Sequence, residues 1–203
     1  ASGATVSPRR RRSQHFRANG TTMTGLLGRL AALWRRDRAL SGKVDALYGA
    51  LVAQSRRSEF YAKLGVPDSV DGRFDMIILH LSLLLRRLRG EDEALAQALL
   101  DITFDDMDRN LREMGAGDLG VGRRVKVMAR AYFGRFKTYD TALEMGDGEA
   151  LAEALARNVK PADGLAAARH IADYVVRVEA SLAGQTVAAL ASSKICFPKV
   201  LTS

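Results

Sequence analysis

Cysteine, histidine and aromatic residues are scarce in this sequence, and each scarcity closes off a class of protein. The single cysteine, Cys196, cannot form an internal disulfide, so no oxidising compartment is implied. Only three histidines stand beside it, His15, His80 and His170, too few and too widely spaced for a zinc site. No Glu-x-x-His pair occurs, which removes the common di-iron bundle. Neither a metal nor any other cofactor is expected. G-x-S-x-G, a Walker phosphate loop and H-E-x-x-H are missing as well. Hydrolase, nucleotide and metalloprotease chemistry therefore have no support, no catalytic residue is assigned, and the chain is not read as an enzyme. The longest apolar run, Met76 to Leu85, is interrupted by His80 and Ser82 and closed by Arg86-Arg87. It reaches about half of the roughly 20 residues that a membrane-spanning helix needs, so it reads as a core helix. No apolar segment follows the N-terminal arginines in the manner of a secretory signal.

Ala, Leu and Arg dominate, a composition that favours helix. The spacing predicts a basic amphipathic helix over 24–38, with Leu26, Leu27, Leu30, Leu33 and Trp34 on one face. A second helix is predicted over 43–63, ended by Gly65-Val66-Pro67, and a third from the caps offered by Asp68, Ser69 and Asp71 through Arg89. The fourth runs to about Met114, with Leu95, Leu99, Ile102, Thr103 and Met107 inward. A glycine-rich loop, Gly115–Gly122, leads to a fifth helix reaching Met145. Helices over 149–158 and 163–190 complete an all-α fold of about six to seven helices in a single domain, with no strand pattern anywhere. His80, inside the third helix, reads as a satisfied core histidine.

Charge is unevenly spread. The net charge is +8, and residues 1–22 hold five arginines and no acid, so removing them leaves +3 for the remainder. That stretch reads as a disordered basic arm, with Met23 as an alternative start. An arm and first helix of this kind can add affinity for a phosphate-rich surface, whether membrane or ribosome. The densest cluster lies between Asp101 and Glu113. Asp105–Arg109, Asp108–Arg112 and Arg109–Glu113 are spaced as i,i+4 ion pairs on a helix, which favours a solvated or interhelical face over acid–base work. Gly115-Ala116-Gly117-Asp118-Leu119-Gly120 matches G-x-G-x-x-G, but a charged helix precedes it instead of a strand, so it reads as a turn. Arg123, Arg124 and Lys126 then open a helix with cations, against its dipole, and call for an anionic neighbour.

Ordered segments through the middle of the chain carry a resemblance. They are Tyr48 to Arg56, Phe60-Tyr61 through Val66-Pro67-Asp68, Asp71 to Met76, Leu79-His80-Leu81 and Arg86-Arg87-Leu88. Asp105 to Gly115, Gly120-Val121-Gly122 with Lys126-Val127-Met128, Tyr132 to Arg135 and Tyr139-Asp140 follow in order. Over about residues 44–145 the chain resembles the ubiquinol–cytochrome c chaperone family. The resemblance implies an assembly factor for the cytochrome bc complex that binds nascent or newly inserted cytochrome b, with a ribosome and a small partner protein as further partners. The Ala/Arg-rich composition favours a bacterial source, so the expected location is the bacterial cytoplasm, peripheral at the inner membrane, or the mitochondrial matrix for a eukaryotic source. Candidate client-binding residues are Phe60, Tyr61, Met107, Met114, Met128, Tyr132, Phe133 and Tyr139, since methionine and aromatic side chains suit adaptable apolar contacts. Arg73, Asp105, Asp106, Asp108, Arg109, Arg112, Glu113, Arg123, Arg124, Lys126 and Arg135 form the candidate charged surface. The expected organisation is an arm over 1–22, an amphipathic helix over 23–42, the chaperone domain over 43–195 and a tail over 196–203. A ribosome- or RNA-binding module driven by the basic arm is the alternative, against which the shortage of aromatic residues for base stacking counts.

Overall fold

The computed structural model describes residues 40–113, 118–192 and 195–200, and among these every regular element is a helix. The first, α1, occupies 40–55. It is followed by α2 (Ser58–Ala62), α3 (Val70–Leu88), α4 (Glu93–Glu113), α5 (Asp118–Met145), α6 (Gly148–Val159), α7 (Gly164–Ala183) and α8 (Val187–Leu190). The expected arm over 1–22 and the predicted helix over 24–38 lie outside the described residues.

The organising element is α3. Ser69 caps it by accepting from the Gly72 N–H at 3.2 Å, and Arg86 and Arg87 occupy its last turn, where cations suit the negative end of the helix dipole. Its apolar run buries Met76, Ile78, Leu79, Leu81, Leu83, Leu84 and Leu88. These positions lie around most of the circumference, so the helix must be covered on several sides. It packs against α4, α5, α6 and α7. The most extensive helix pair is α6 with α7. Both bury alanines, Ala152 and Ala154 on one and Ala167, Ala168 and Ala172 on the other, and small side chains let helix backbones approach closely. The connection is short because α6 stops at Lys160, held in the left-handed region at φ 51°, with Pro161 next.

Three boundaries differ from expectation. The predicted helix over 43–63 is two helices. Arg57 is extended at ψ 130°, and the Ser55 carbonyl, which a continuous helix would bond to Glu59, accepts the Tyr61 hydroxyl at 2.8 Å. The predicted helix over 163–190 also divides. Arg87 reaches from α3 to the carbonyls of Leu182 (2.9 Å) and Gln185 (2.7 Å), satisfying the end of α7. Thr186 then caps α8 by accepting from the Ala189 N–H. The glycine-rich loop is shorter than Gly115–Gly122, since Asp118 already belongs to α5, where an acid at a helix start is favoured. Residues 195–200, the end of the domain and the first part of the expected tail, lie back on the protein, with Val200 buried and Ile195 and Phe197 against the core.

Gly72 gives a direct test of this packing. A Cβ there would fall inside the contact distance of the Pro67 carbonyl oxygen, a backbone atom that cannot swing aside. Gly72→Ala is expected to destabilise the fold by about 1–3 kcal/mol, as overpacking does, measured as a lower midpoint in urea with an unchanged m-value.

Candidate functional site

Aromatic side chains gather where α4 meets α5. Tyr132 is fully buried, and Phe104 from α4 meets its ring edge-on at 5.8 Å between centroids. Phe136, one turn along α5, lies 6.0 Å away. Phe133 is rotated by about 100° from Tyr132 on the helix. It therefore points outward while still touching the Tyr132 ring at 5.0 Å. It is 57% exposed, unusual for so large an apolar side chain. The Arg89 guanidinium sits 5.4 Å from the centre of the Phe136 ring, within cation–π range.

A charged cluster braces this aromatic patch. Asp140, on α5, accepts from Arg89 at 2.8 Å and from Arg86, and Arg86 also holds Glu179 of α7 at 2.8 Å. One arginine thus ties α3 to both α5 and α7. Burial raises the Asp140 carboxyl pKa, but the hydrogen bonds from Arg89 and Arg86 outweigh it and hold the group below its ordinary value. Beside the cluster lies a surface cleft of about 440 Å³, lined by Leu83, Arg86, Arg87, Arg89, Glu144 and Glu179 among others. Asp75 and Arg135 form a second inter-helix pair, from α3 to α5. There burial raises the carboxyl pKa further than Arg135 lowers it.

The residues singled out in the sequence separate by position. Phe60, Met107, Tyr132 and Tyr139 are buried, Tyr61 is half-buried and Phe133 exposed. Met128, Arg123, Arg124 and Lys126 fall on α5, and Met114 lies outside the described residues. On α4, Asp108 and Arg112 make the expected pair at 2.7 Å. Arg109 instead approaches Asp106, at 3.8 Å. Asp106 also accepts from the Tyr48 hydroxyl at 2.6 Å, linking α4 to α1, while Asp105 and Glu113 are exposed. Arg73 pairs with Asp68 at 2.7 Å on the surface.

A buried polar chain escaped the sequence reading, although His80 at its centre was rightly placed in the core. His80 Nδ1 lies 2.8 Å from the Met76 carbonyl and 3.1 Å from Ser55 Oγ, while Nε2 lies 2.8 Å from the Tyr174 hydroxyl. A carbonyl can only accept, so Nδ1 carries the proton and Nε2 accepts from Tyr174. Tyr174 in turn accepts from Gln54 Nε2 at 2.8 Å. The Phe60 and Phe197 rings pack on His80 at 5.6 and 5.7 Å. Ser55, His80 and Tyr174 come from three different helices, and no spacing within one helix could have joined them.

The fold and this site define a helical protein with an aromatic patch between α4 and α5 braced by charged residues. The chain belongs to the ubiquinol-cytochrome C chaperone family, whose model matches residues 62–197. Among solved structures it is similar to the crystal structure of the Cbp3 homolog from Brucella abortus, with 38% identity and a TM-score of 0.76 over 84% of this chain and 97% of that one. No curated protein matches the sequence.

Acid stability tests the buried chain. Desolvation pushes the His80 imidazole down to about 4, whereas unfolded histidine titrates near 6.5. The unfolded chain therefore takes up the proton first. The contribution is complete above about pH 6.5 and is lost as pH falls toward 4, by about 3 kcal/mol at most. His80→Phe is expected to lose stability at pH 7.5, because the Tyr174 hydroxyl loses its acceptor. It should also show a shallower fall between pH 6.5 and 4 than the natural chain in urea unfolding.

Proposed function

We propose that this chain is an assembly chaperone for the ubiquinol–cytochrome c reductase (bc) complex that binds newly made cytochrome b without catalysing a reaction. The observation that carries the reading is family membership across residues 62–197, and the similarity to the Cbp3 homolog supports it. Such a task needs a surface that accepts apolar segments and releases them, not a nucleophile beside a base. The α4–α5 patch has that character. Phe133 offers the apolar contact, Phe104 and Phe136 form the half-buried surround, and Arg89 and Asp140 supply a polar margin. Among the described side chains, Tyr61, half-buried on α2, is the other member of the client-binding set that meets solvent, while Phe60, Met107, Tyr132 and Tyr139 are buried. Among the described residues no helix is long and apolar enough to cross a membrane. The proposed place of that work is the bacterial cytoplasm, by peripheral contact at the inner membrane. No observation on the described residues favours the ribosome, a small partner protein or RNA.

Photo-crosslinking tests the surface. Benzoylphenylalanine placed at Phe133 is expected to capture cytochrome b, and the same probe at Val176, exposed on α7, is expected not to. Phe133→Asp should lower cytochrome b and assembled bc complex several-fold while shifting stability by less than about 0.5 kcal/mol, as surface substitutions do. Equal adducts at both positions would reject this surface. Normal bc assembly in a deletion strain would reject the function itself.

A further inference from the structure

Residues 195–200 form no helix, yet one side chain supplies most of their backbone hydrogen bonding. The Gln185 carboxamide accepts from the Cys196 N–H at 2.9 Å and donates to the Cys196 carbonyl at 2.8 Å. Ser181 Oγ donates to the same carbonyl at 3.1 Å. A backbone that is bonded through both its N–H and its C=O is being received as a neighbouring strand would receive it. The apolar side chains of the segment do the rest, Phe197 against His80 and Val200 buried.

Tyr174 and Ser181 share one side of α7 by their spacing, and Gln185 follows just past the end of the helix. Arg177 lies among them, three residues after Tyr174 and four before Ser181. Its Nε and Nη2 are buried and have no hydrogen-bond partner among the described residues. Asp173, one turn earlier on α7, does not supply one and is exposed. These two N–H groups are the guanidinium edge that matches the paired oxygens of a carboxylate. Desolvating them without an acceptor costs free energy. The segment Ile195-Cys196-Phe197-Pro198-Lys199-Val200 contains no acid to meet them.

We propose that this side of α7 is a groove for an extended apolar peptide of a partner protein carrying one acidic side chain. Residues 195–200 occupy it within the chain without supplying the acid. The incoming peptide displaces the segment, takes the place of Phe197 against His80, pairs its backbone with Gln185 and brings a carboxylate to Arg177. The groove is separate from the α4–α5 patch, so its test does not depend on the identity of the client there.

Two fluorescein-labelled peptides serve as probes, Ile-Glu-Phe-Pro-Lys-Val and its neutral counterpart Ile-Ser-Phe-Pro-Lys-Val, titrated against the full chain. Phe197→Ala removes the internal competitor and is expected to bind the acidic peptide about tenfold more tightly than the natural chain does. Adding Arg177→Met should bring the acidic peptide down to the affinity of the neutral one, with the neutral peptide unchanged. Absence of saturable binding to Phe197→Ala, or an acid preference that survives Arg177→Met, overturns the proposal. If Phe197→Ala fails to fold, the comparison of Arg177→Met with the natural chain for the acidic peptide decides the matter in the same way. Hydrogen exchange on the unaltered chain adds an independent measurement. The Cys196 amide should exchange through local opening, faster than the Val178 amide within α7, and equal rates overturn displacement.

Discussion

A helix that is apolar around most of its circumference is stable in water only when other elements cover it, and α3 sets that requirement for this protein. Its run from Met76 to Leu88 is buried on several sides, and α4, α5, α6 and α7 are the cover. Polar groups inside such a helix then have to be satisfied by whatever covers them. His80 finds Ser55 from α1 and Tyr174 from α7, and Ser82 bonds back to the Ile78 carbonyl. Arg86 and Arg87, at the wet end of the same helix, reach out to Asp140, Glu179 and the carbonyls that end α7. The hydrophobic requirement gathers the helices. The polar one selects which residues face one another, because a buried donor without an acceptor costs more than a misplaced methyl group.

The candidate surface follows from the same packing. Tyr132 is drawn into the seam between α4 and α5, and its neighbour Phe133 cannot also face inward on a helix of 3.6 residues per turn. Phe133 is left in water beside Phe136 and Arg89. In the proposed reading this is where a client meets apolar area edged by charges.

Much of the fold was legible along the chain. The Met76–Leu85 run, the cap at Ser69 and the breakers after Lys63, Met145 and Asn158 are local features, and helices respond to local features. The breaks at Arg57 and Gly184–Gln185 were not legible. They depend on Tyr61 reaching the Ser55 carbonyl and on Arg87 reaching the end of α7. The i,i+4 rule anticipated Asp108 with Arg112 but not Asp106 with Tyr48, since helix spacing carries no information about a partner on another helix.

The site residues divide along the same line. Aromatic and methionine character marked Phe60, Met107, Tyr132, Phe133 and Tyr139 alike, because composition records what a side chain is and not which way it faces. Burial then set Phe133 apart from the other four. The sequence by itself determined the helical class, the central apolar helix and a resemblance that names the family. The tertiary structure alone decided which aromatic rings meet water, which acids hold Arg86, and that His80 pairs with Tyr174. Those outcomes depend on contacts between residues distant in the chain, and such contacts exist only once the helices have packed.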